Sequence, residues 1–185
     1  MAWAGTDSAI KIVSPHIAHK SDVGGVLLGI DANHIHDATE QMLETVESRI
    51  PDAKLDGVLV SPMREPATEL IVGVTRDKDW GLMLAVGMGG ILVEVLNDVA
   101  LSPLPVDKNA VIDMLKKLRG KQLLEGVRGA APADTERLAA IVSRIANVAA
   151  AMGDRLETAE INPLRVEGSQ IEALDALVVL REDSR

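Results

Sequence analysis

Ser14-Pro15-His16-Ile17-Ala18-His19-Lys20-Ser21-Asp22-Val23-Gly24-Gly25-Val26 separates two short apolar runs, at residues 10–13 and 26–30. Each run has the length of a strand, and the proline and glycine pair between them mark a loop. The loop gathers a candidate nucleophile, His19, a cation beside it, Lys20, and two hydroxyls, Ser14 and Ser21. An imidazole with an ordinary pKa of about 6.5 is largely neutral, and so nucleophilic, near neutral pH. A neighbouring lysine screens an incoming phosphate, and glycine-rich backbone can turn N–H groups toward it. Taken alone, the loop reads more plainly as a solvated connection whose histidine does nothing. Its company further along the chain changes that.

Outward from the loop, a capping box of Asp37 and Glu40 predicts a helix carrying Met42, Leu43, Val46 and Ile50, closed by Pro51. Residues 58–60 predict a strand, and residues 69–74 and 82–86 a hairpin about Arg76-Asp77-Lys78-Asp79 and Gly81. Gly87-Met88-Gly89-Gly90 follows, then a strand at 91–95. Asp107 predicts a helix through Leu118 with Gly120 as its stop. Asp134 predicts a longer one with Leu138, Ile141, Val142, Ile145, Val148 and Met152 inward and Gly153 at its end. Strands at 158–161 and 171–180, turning at Val166-Glu167-Gly168-Ser169, complete an α+β arrangement: a mostly antiparallel sheet covered by helices.

The chain has 185 residues, 47% of them apolar, with no Phe, no Tyr, and Trp3 and Trp80 as its only large aromatics. Its core must come from Leu, Ile, Val, Ala and Met. A net charge of −9 opposes general affinity for nucleic acid or an anionic membrane. Absence of cysteine removes disulfides and thiolate metal sites and suits a cytoplasmic protein. The first residues lack the pattern of a signal peptide, and no apolar run has membrane-spanning length.

Three features carry chemistry. The first is the His19 loop. The second is Gly87-Met88-Gly89-Gly90, which would let backbone N–H groups approach phosphate oxygens, although glycine clusters between strands are more often plain turns. The third is Glu160-Ile161-Asn162-Pro163 with Asp175. Strand alternation puts Glu160 and Asn162 on one face, and a hairpin return can bring Asp175 alongside. Such hard oxygen donors suit Mg²⁺, while the plainer reading is a turn with solvated acids. His16, His34, His36, Lys116-Lys117 and the polar end at Arg181-Glu182-Asp183 read as surface.

Together, Lys11 to Pro15, His19 to Val26, Glu69 to Val74, Gly87 to Leu96, Asp98-Val99, Arg128-Gly129, Glu160 to Leu164 and Asp175-Ala176 resemble the ATP-grasp β subunit of the ADP-forming (NDP-forming) acyl-CoA synthetases. These are relatives of succinyl-CoA synthetase, and the likeness runs from about Ile10 to Leu180. It implies an ATP-grasp-like fold with the first lobe truncated. Residues 1–9 would form a leader, 10–63 a remnant of the first lobe with phosphohistidine loop and hinge, 64–181 the second lobe and 182–185 a tail. In catalytic terms, the resemblance makes His19 the phosphate carrier and Glu160 the acid that orients it. Lys11, Val60, Ser61, Met63, Glu69, Gly87, Gly89 and Gly90 would bind the nucleotide, with Val60 to Met63 as the hinge facing adenine. Asn162 and Asp175 would hold Mg²⁺.

The implied reaction is acyl-CoA + ADP + phosphate to and from acid + ATP + CoA, with ATP/ADP and Mg²⁺ as cofactors and GDP left open. The implied partner is a CoA-binding subunit or fused domain, since no CoA-binding region is visible in the chain. Oligomer formation is also expected. Two departures stand out: the chain starts almost at the lysine strand, and Ser102 stands where many members carry an arginine. A rival reading is a non-catalytic ATP-grasp-like module, for sensing or structure, of a larger protein such as an acetyltransferase fusion.

Overall fold

The computed structural model describes residues 7–90, 97–127 and 129–181. They fall into two compact units, Met1–Pro66 and Ala67–Arg185. Among the described residues no helix is long and apolar enough to cross a membrane. The strand expected at 91–95 lies outside the described residues.

The first unit is a three-stranded antiparallel sheet, β1 (Ser8–Val13), β2 (Val26–Ile30) and β3 (Gly57–Pro62), in the order β2-β1-β3. One helix, α1 (Ile35–Arg49), contributes Met42 and Val46 to a small core with Ile10, Ile12 and Ile17. Alternation along β1 buries Ile10 and Ile12 completely and turns Lys11 to the opposite face. The helix begins earlier than its capping box implied. Asp31 accepts the Asn33 N–H at 2.8 Å and starts a single 3₁₀ turn, Ala32–His34, that runs straight into α1. Asp37 therefore falls in the first helical turn, where an acid favours the positive end of the helix. His34 and His36 stay exposed beside acidic neighbours.

The second unit is a six-stranded antiparallel sheet whose main path is β6-β5-β4-β7-β8, with β9 also paired to β7. Its strands are β4 (Thr68–Asp77), β5 (Gly81–Met88), β6 (Val99–Pro103), β7 (Leu156–Glu167), β8 (Gln170–Ala173) and β9 (Ala176–Leu180). Among the described residues two helices, α2 (Lys108–Lys117) and α3 (Thr135–Ala151), complete one continuous core together with Val106, Leu118 and Leu124 from the connecting segments. The β4–β5 hairpin forms in the expected place, in register from Leu70 opposite Met88 to Asp77 opposite Gly81. Asp107 and Asp134 cap their helices, accepting the N–H groups of Ala110 and Arg137.

Three expectations need correction. The inward face of α3 is wider than expected and excludes one residue: Leu138 and Val142 are buried and Ile145 and Met152 pack on the core, but Ala139, Ser143, Ala146 and Ala149 join them inside, whereas Val148 is 65% exposed. Small side chains let the helix lie close to its neighbours, an advantage that hydropathy does not register. Next, α2 already ends at Leu118, and Gly120 serves packing instead, because a Cβ there would sit 2.8 Å from Met88 Cγ. Finally, residues 171–180 form two strands, parted at Leu174 and Asp175. The break faces Pro163, which has no N–H to give to a ladder. The Pro163 carbonyl still accepts Leu174 N–H, and Asn162 N–H donates to Asp175 O.

Candidate functional site

In the first unit the His19 loop is pinned at both ends. On entry, Ser14 Oγ donates to Lys54 O at 2.7 Å, and Lys54 N–H donates to His16 Nδ1 at 3.1 Å. His16 is exposed, as its surface reading expects, and its ring also anchors the loop. Ile17 follows, 6% exposed and set in the core. On exit, Lys20–Val23 makes one 3₁₀ turn, closed by Gly24 N–H to Ser21 O and Gly25 N–H to Lys20 O. Between these fixed points Ala18 and His19 are exposed, and the His19 side chain makes no capping bond to the turn it precedes.

The glycine pair has local reasons to be glycine. Gly24 has φ +77°, and a Cβ on Gly25 would lie 2.5 Å from Ile12 Cδ1. Conformation and close packing set these positions.

Of the other first-unit candidates, Lys11 shares the sheet face opposite the core with its cross-strand partner Leu59, which is 54% exposed. Val60 and Ser61 lie within β3, paired with Ile10 and Ala9, and Met63 N–H donates to Asp7 O at 2.8 Å. Because β3 is an edge strand, backbone groups on its outer side are not used by the ladder. That is the kind of backbone a base could recognise.

In the second unit, Leu70, Val72 and Val74 are buried, so Glu69, Ile71 and Gly73 face the other side of the sheet. Glu160, opposite Gly73, shares that side. Asn162 joins it, since its amide Nδ2 donates to Glu160 Oε1 at 3.0 Å. This bond fixes the amide and directs its Oδ1 away from the glutamate. Asp175 lies directly across the strand, its carbonyl accepting Asn162 N–H at 3.2 Å and its Oδ1 accepting Ala176 N–H at 2.9 Å. Glu160, Asn162 and Asp175 are therefore neighbours. Between Leu164 and Ile161, β7 carries one extra residue relative to β4. This bulge moves the core-facing positions from Ala159 and Ile161 to Leu164 and Val166.

The glycine cluster behaves differently from its expected use. Gly89 N–H is already given to Glu69 O at 2.6 Å, and a Cβ on Gly89 would lie 2.8 Å from the Glu69 carbonyl carbon. Gly87 is equally confined, its missing Cβ 2.9 Å from Val99 Cγ2. Only Gly90 of the three is exposed, with φ +71° and the Glu69 carboxylate 3.7 Å from where its Cβ would stand. A carboxylate at that turn disfavours a bare phosphate and favours a cation or a hydroxyl.

Arg165 and Asp98 carry no sequence signal for chemistry, yet both are buried polar residues. Arg165, 7% exposed, pairs with Glu167 at 2.8 Å and stands in the strand row between Glu69 and Glu172. A strict two-residue period breaks at Pro163, which hides its facing in the sequence. Asp98 is 5% exposed and accepts the N–H groups of Arg119 and Gly120, each at 2.8 Å. It also receives Met88 N–H at its carbonyl, tying the end of β5 to the turn after α2.

Among the described residues no group of three or more His, Asp and Glu side chains is placed to hold a metal. The donors Asn162 and Asp175 are nevertheless hard oxygens, and Mg²⁺ commonly takes only one or two protein carboxylates with phosphates and water. The donor set fits that ion.

Comparison with known proteins gives these features a family. The ATP-grasp domain profile matches residues 1–180. ADP-forming acetate–CoA ligase I of Archaeoglobus fulgidus is 37% identical over 179 residues, covering 97% of this chain and 26% of that protein. The β subunit of ADP-forming acetate–CoA ligase II of Pyrococcus furiosus is 32% identical over 180 residues, covering 96% of this chain and 76% of the subunit. Among solved structures, dinucleotide-forming acetyl-coenzyme A synthetase 1 of Ca. Korarchaeum cryptofilum, in complex with coenzyme A, Ca-AMPCP and HgCl+, superposes with a TM-score of 0.86 at 32% identity. That match covers 96% of this chain and 78% of the other. A further structure of that synthetase holds coenzyme A and Mg-AMPPCP, with its phosphohistidine segment pointing towards the nucleotide binding site (TM-score 0.76, 29% identity, 96% and 78% covered). The chain thus spans about a quarter of the Archaeoglobus protein and about three quarters of the Pyrococcus subunit. It belongs to the ATP-grasp domain family and corresponds to the ATP-grasp part of the ADP-forming acetate–CoA ligases it matches.

Proposed function

We propose that this chain is the nucleotide-binding, phosphohistidine-carrying part of an ADP-forming acyl-CoA synthetase, working with a CoA-binding companion subunit or domain. The observation that carries the reading is the oxygen cluster of Glu160, Asn162 and Asp175, held by the Asn162–Glu160 and Asn162–Asp175 bonds. Its supports are the family match and the exposed His19 in a loop fixed at both ends.

In this reading a His19 ring nitrogen attacks the phosphorus of a phosphohistidine on the companion part. The P–N bond to the donor breaks as the P–N bond to His19 forms. In the next step a terminal β-phosphate oxygen of ADP attacks, the P–N bond to His19 breaks, and ATP results. Glu160 accepts a hydrogen bond from the incoming imidazole and orients it, while Lys11 balances phosphate charge. The outer edge of β3, through Val60, Ser61 and Met63, offers backbone groups to the base. Glu69 takes a hydroxyl or cation beside Gly90, with Gly87 and Gly89 holding that turn in shape. Asn162 and Asp175 would hold Mg²⁺, which when bound neutralises charge on the nucleotide phosphates. Little covalent work falls to the protein beyond the histidine, as in phosphoryl transfer generally. A reducing, cytoplasmic setting fits a chain without cysteine.

The test is made in the complete synthetase, with the companion part present. Native enzyme given γ-labelled Mg-ATP should carry acid-labile label on this chain, and His19→Ala should carry none and not turn over. Normal labelling and turnover of His19→Ala would overturn the proposal. Asp175→Asn should retain the histidine but require several-fold more Mg²⁺ for half-maximal labelling.

A further inference from the structure

We infer that His16 and Ser14 are positioning residues for His19, acting by gripping both backbone polar groups of one residue, Lys54. The inference rests on the carrier role of His19 proposed above. Ser14 Oγ donates to Lys54 O at 2.7 Å, Lys54 N–H donates to His16 Nδ1 at 3.1 Å, and His16 N–H donates back to Ser14 Oγ at 3.1 Å. The clasp is continuous with the sheet, since Asp56 N–H donates to Val13 O at 2.8 Å. Lys54 Nζ meets Asp56 Oδ1 at 2.8 Å within the same short turn. Ile17, the residue after the clasp, is set in the core, so the chain reaches Ala18 and His19 from a fixed origin.

The energetics separate positioning from stability. His16 and Lys54 are exposed, and water would satisfy their polar groups if the clasp opened. Such bonds add little net stability, because they replace equivalent bonds to solvent. What they supply is geometry. A carrier imidazole delivering phosphorus must arrive aligned, and a misplacement of about 1 Å can cost on the order of 100-fold in rate. Only an unprotonated Nδ1 can accept the Lys54 N–H. An asparagine carbonyl oxygen presents an acceptor at a similar reach, and an alanine presents none.

The experiment uses the complete synthetase with His16→Ala, His16→Asn, Ser14→Ala and, as a control, His19→Ala. Single-turnover transfer from Mg-ATP to His19, nucleotide KM, thermal midpoint and Lys54 amide exchange are measured. His16→Ala and Ser14→Ala should slow transfer roughly tenfold and speed Lys54 exchange, with KM and midpoint unchanged. His16→Asn should restore both rates. Native transfer in His16→Ala, or unrestored transfer in a stably folded His16→Asn, overturns the inference even if His19→Ala abolishes label. Should His19→Ala still accept label, the carrier reading fails and this inference with it.

Discussion

At the scale of single residues, the glycines divide by what a methyl group would meet. A Cβ on Gly25 would lie 2.5 Å from Cδ1 and 2.7 Å from Cγ1 of Ile12, a side chain with no exposed surface. Gly25→Ala must displace a core isoleucine, an overpacking that typically costs about 1–3 kcal/mol. At Gly73 the nearest atom would be Ala159 O at 3.9 Å, an ordinary contact, so Gly73→Ala should change stability by less than about 0.5 kcal/mol. Urea unfolding of the two variants checks the contrast, and equal midpoints would refute it. The sequence marked Gly24-Gly25 and Gly87 to Gly90 as special without saying why. Gly24 is set by its own φ of +77°, while the demands on Gly25, Gly87 and Gly89 come from Ile12, Val99 and Glu69, residues that only folding brings near. The Gly89 N–H, a candidate phosphate donor in the sequence, is consumed by Glu69 O for the same reason.

Among whole elements, what was legible is what is decided locally. Asp107 and Asp134 cap their helices because a capping bond needs only the next three residues. The β4–β5 hairpin was legible for a similar reason, with Asp77 Oδ1 accepting the N–H groups of Asp79 and Trp80 inside the turn. Exposure of Val148 and the parting of β8 from β9 were not legible. One depends on how closely α3 lies against its neighbours, the other on Pro163 meeting the returning strand. The neighbourhood of Glu160, Asn162 and Asp175 was partly legible, since alternation placed the first two and the hairpin placed the third. The amide bond between Asn162 and Glu160 was not. Two tests belong at this scale. Asp134→Ala should cost about 1 kcal/mol through loss of the Arg137 N–H bond, read as a lower denaturation midpoint. At the start of α1, the Asn33 backbone N–H holds the Asp31 carboxyl below its ordinary range. A depressed folded-state value means that the bond contributes above the ordinary carboxylate range and is lost as pH falls through the folded value. The protection factor of the Asn33 amide, its exchange rate relative to the intrinsic rate at each pH, should therefore fall in acid in the native chain and be low throughout in Asp31→Ala. A protection factor that ignores pH in the native chain would contradict this.

For the whole molecule, the informative fact is that, among the described residues, its two cores share none. The larger draws only on residues from Leu70 to Ile171, the smaller only on residues from Ile10 to Val60. Among the described residues the larger core has 21 buried hydrophobic residues, drawn from a six-stranded sheet, two helices and the segments between them; the smaller has five, under three strands and one helix. Burial grows faster than chain length, so a unit of 66 residues with so small a core is marginal by itself, while one of 119 residues is not. Residues 67–185 expressed alone should therefore fold cooperatively, with native-like amide dispersion and a single thermal transition. Residues 1–66 alone should be unfolded or only weakly cooperative. In the full chain, limited proteolysis should cut first between Pro62 and Thr68, where β3 has ended and β4 has not begun. If residues 67–185 were to lose cooperative unfolding on their own, the larger core would depend on the smaller unit, and the independence read from the two clusters would be wrong.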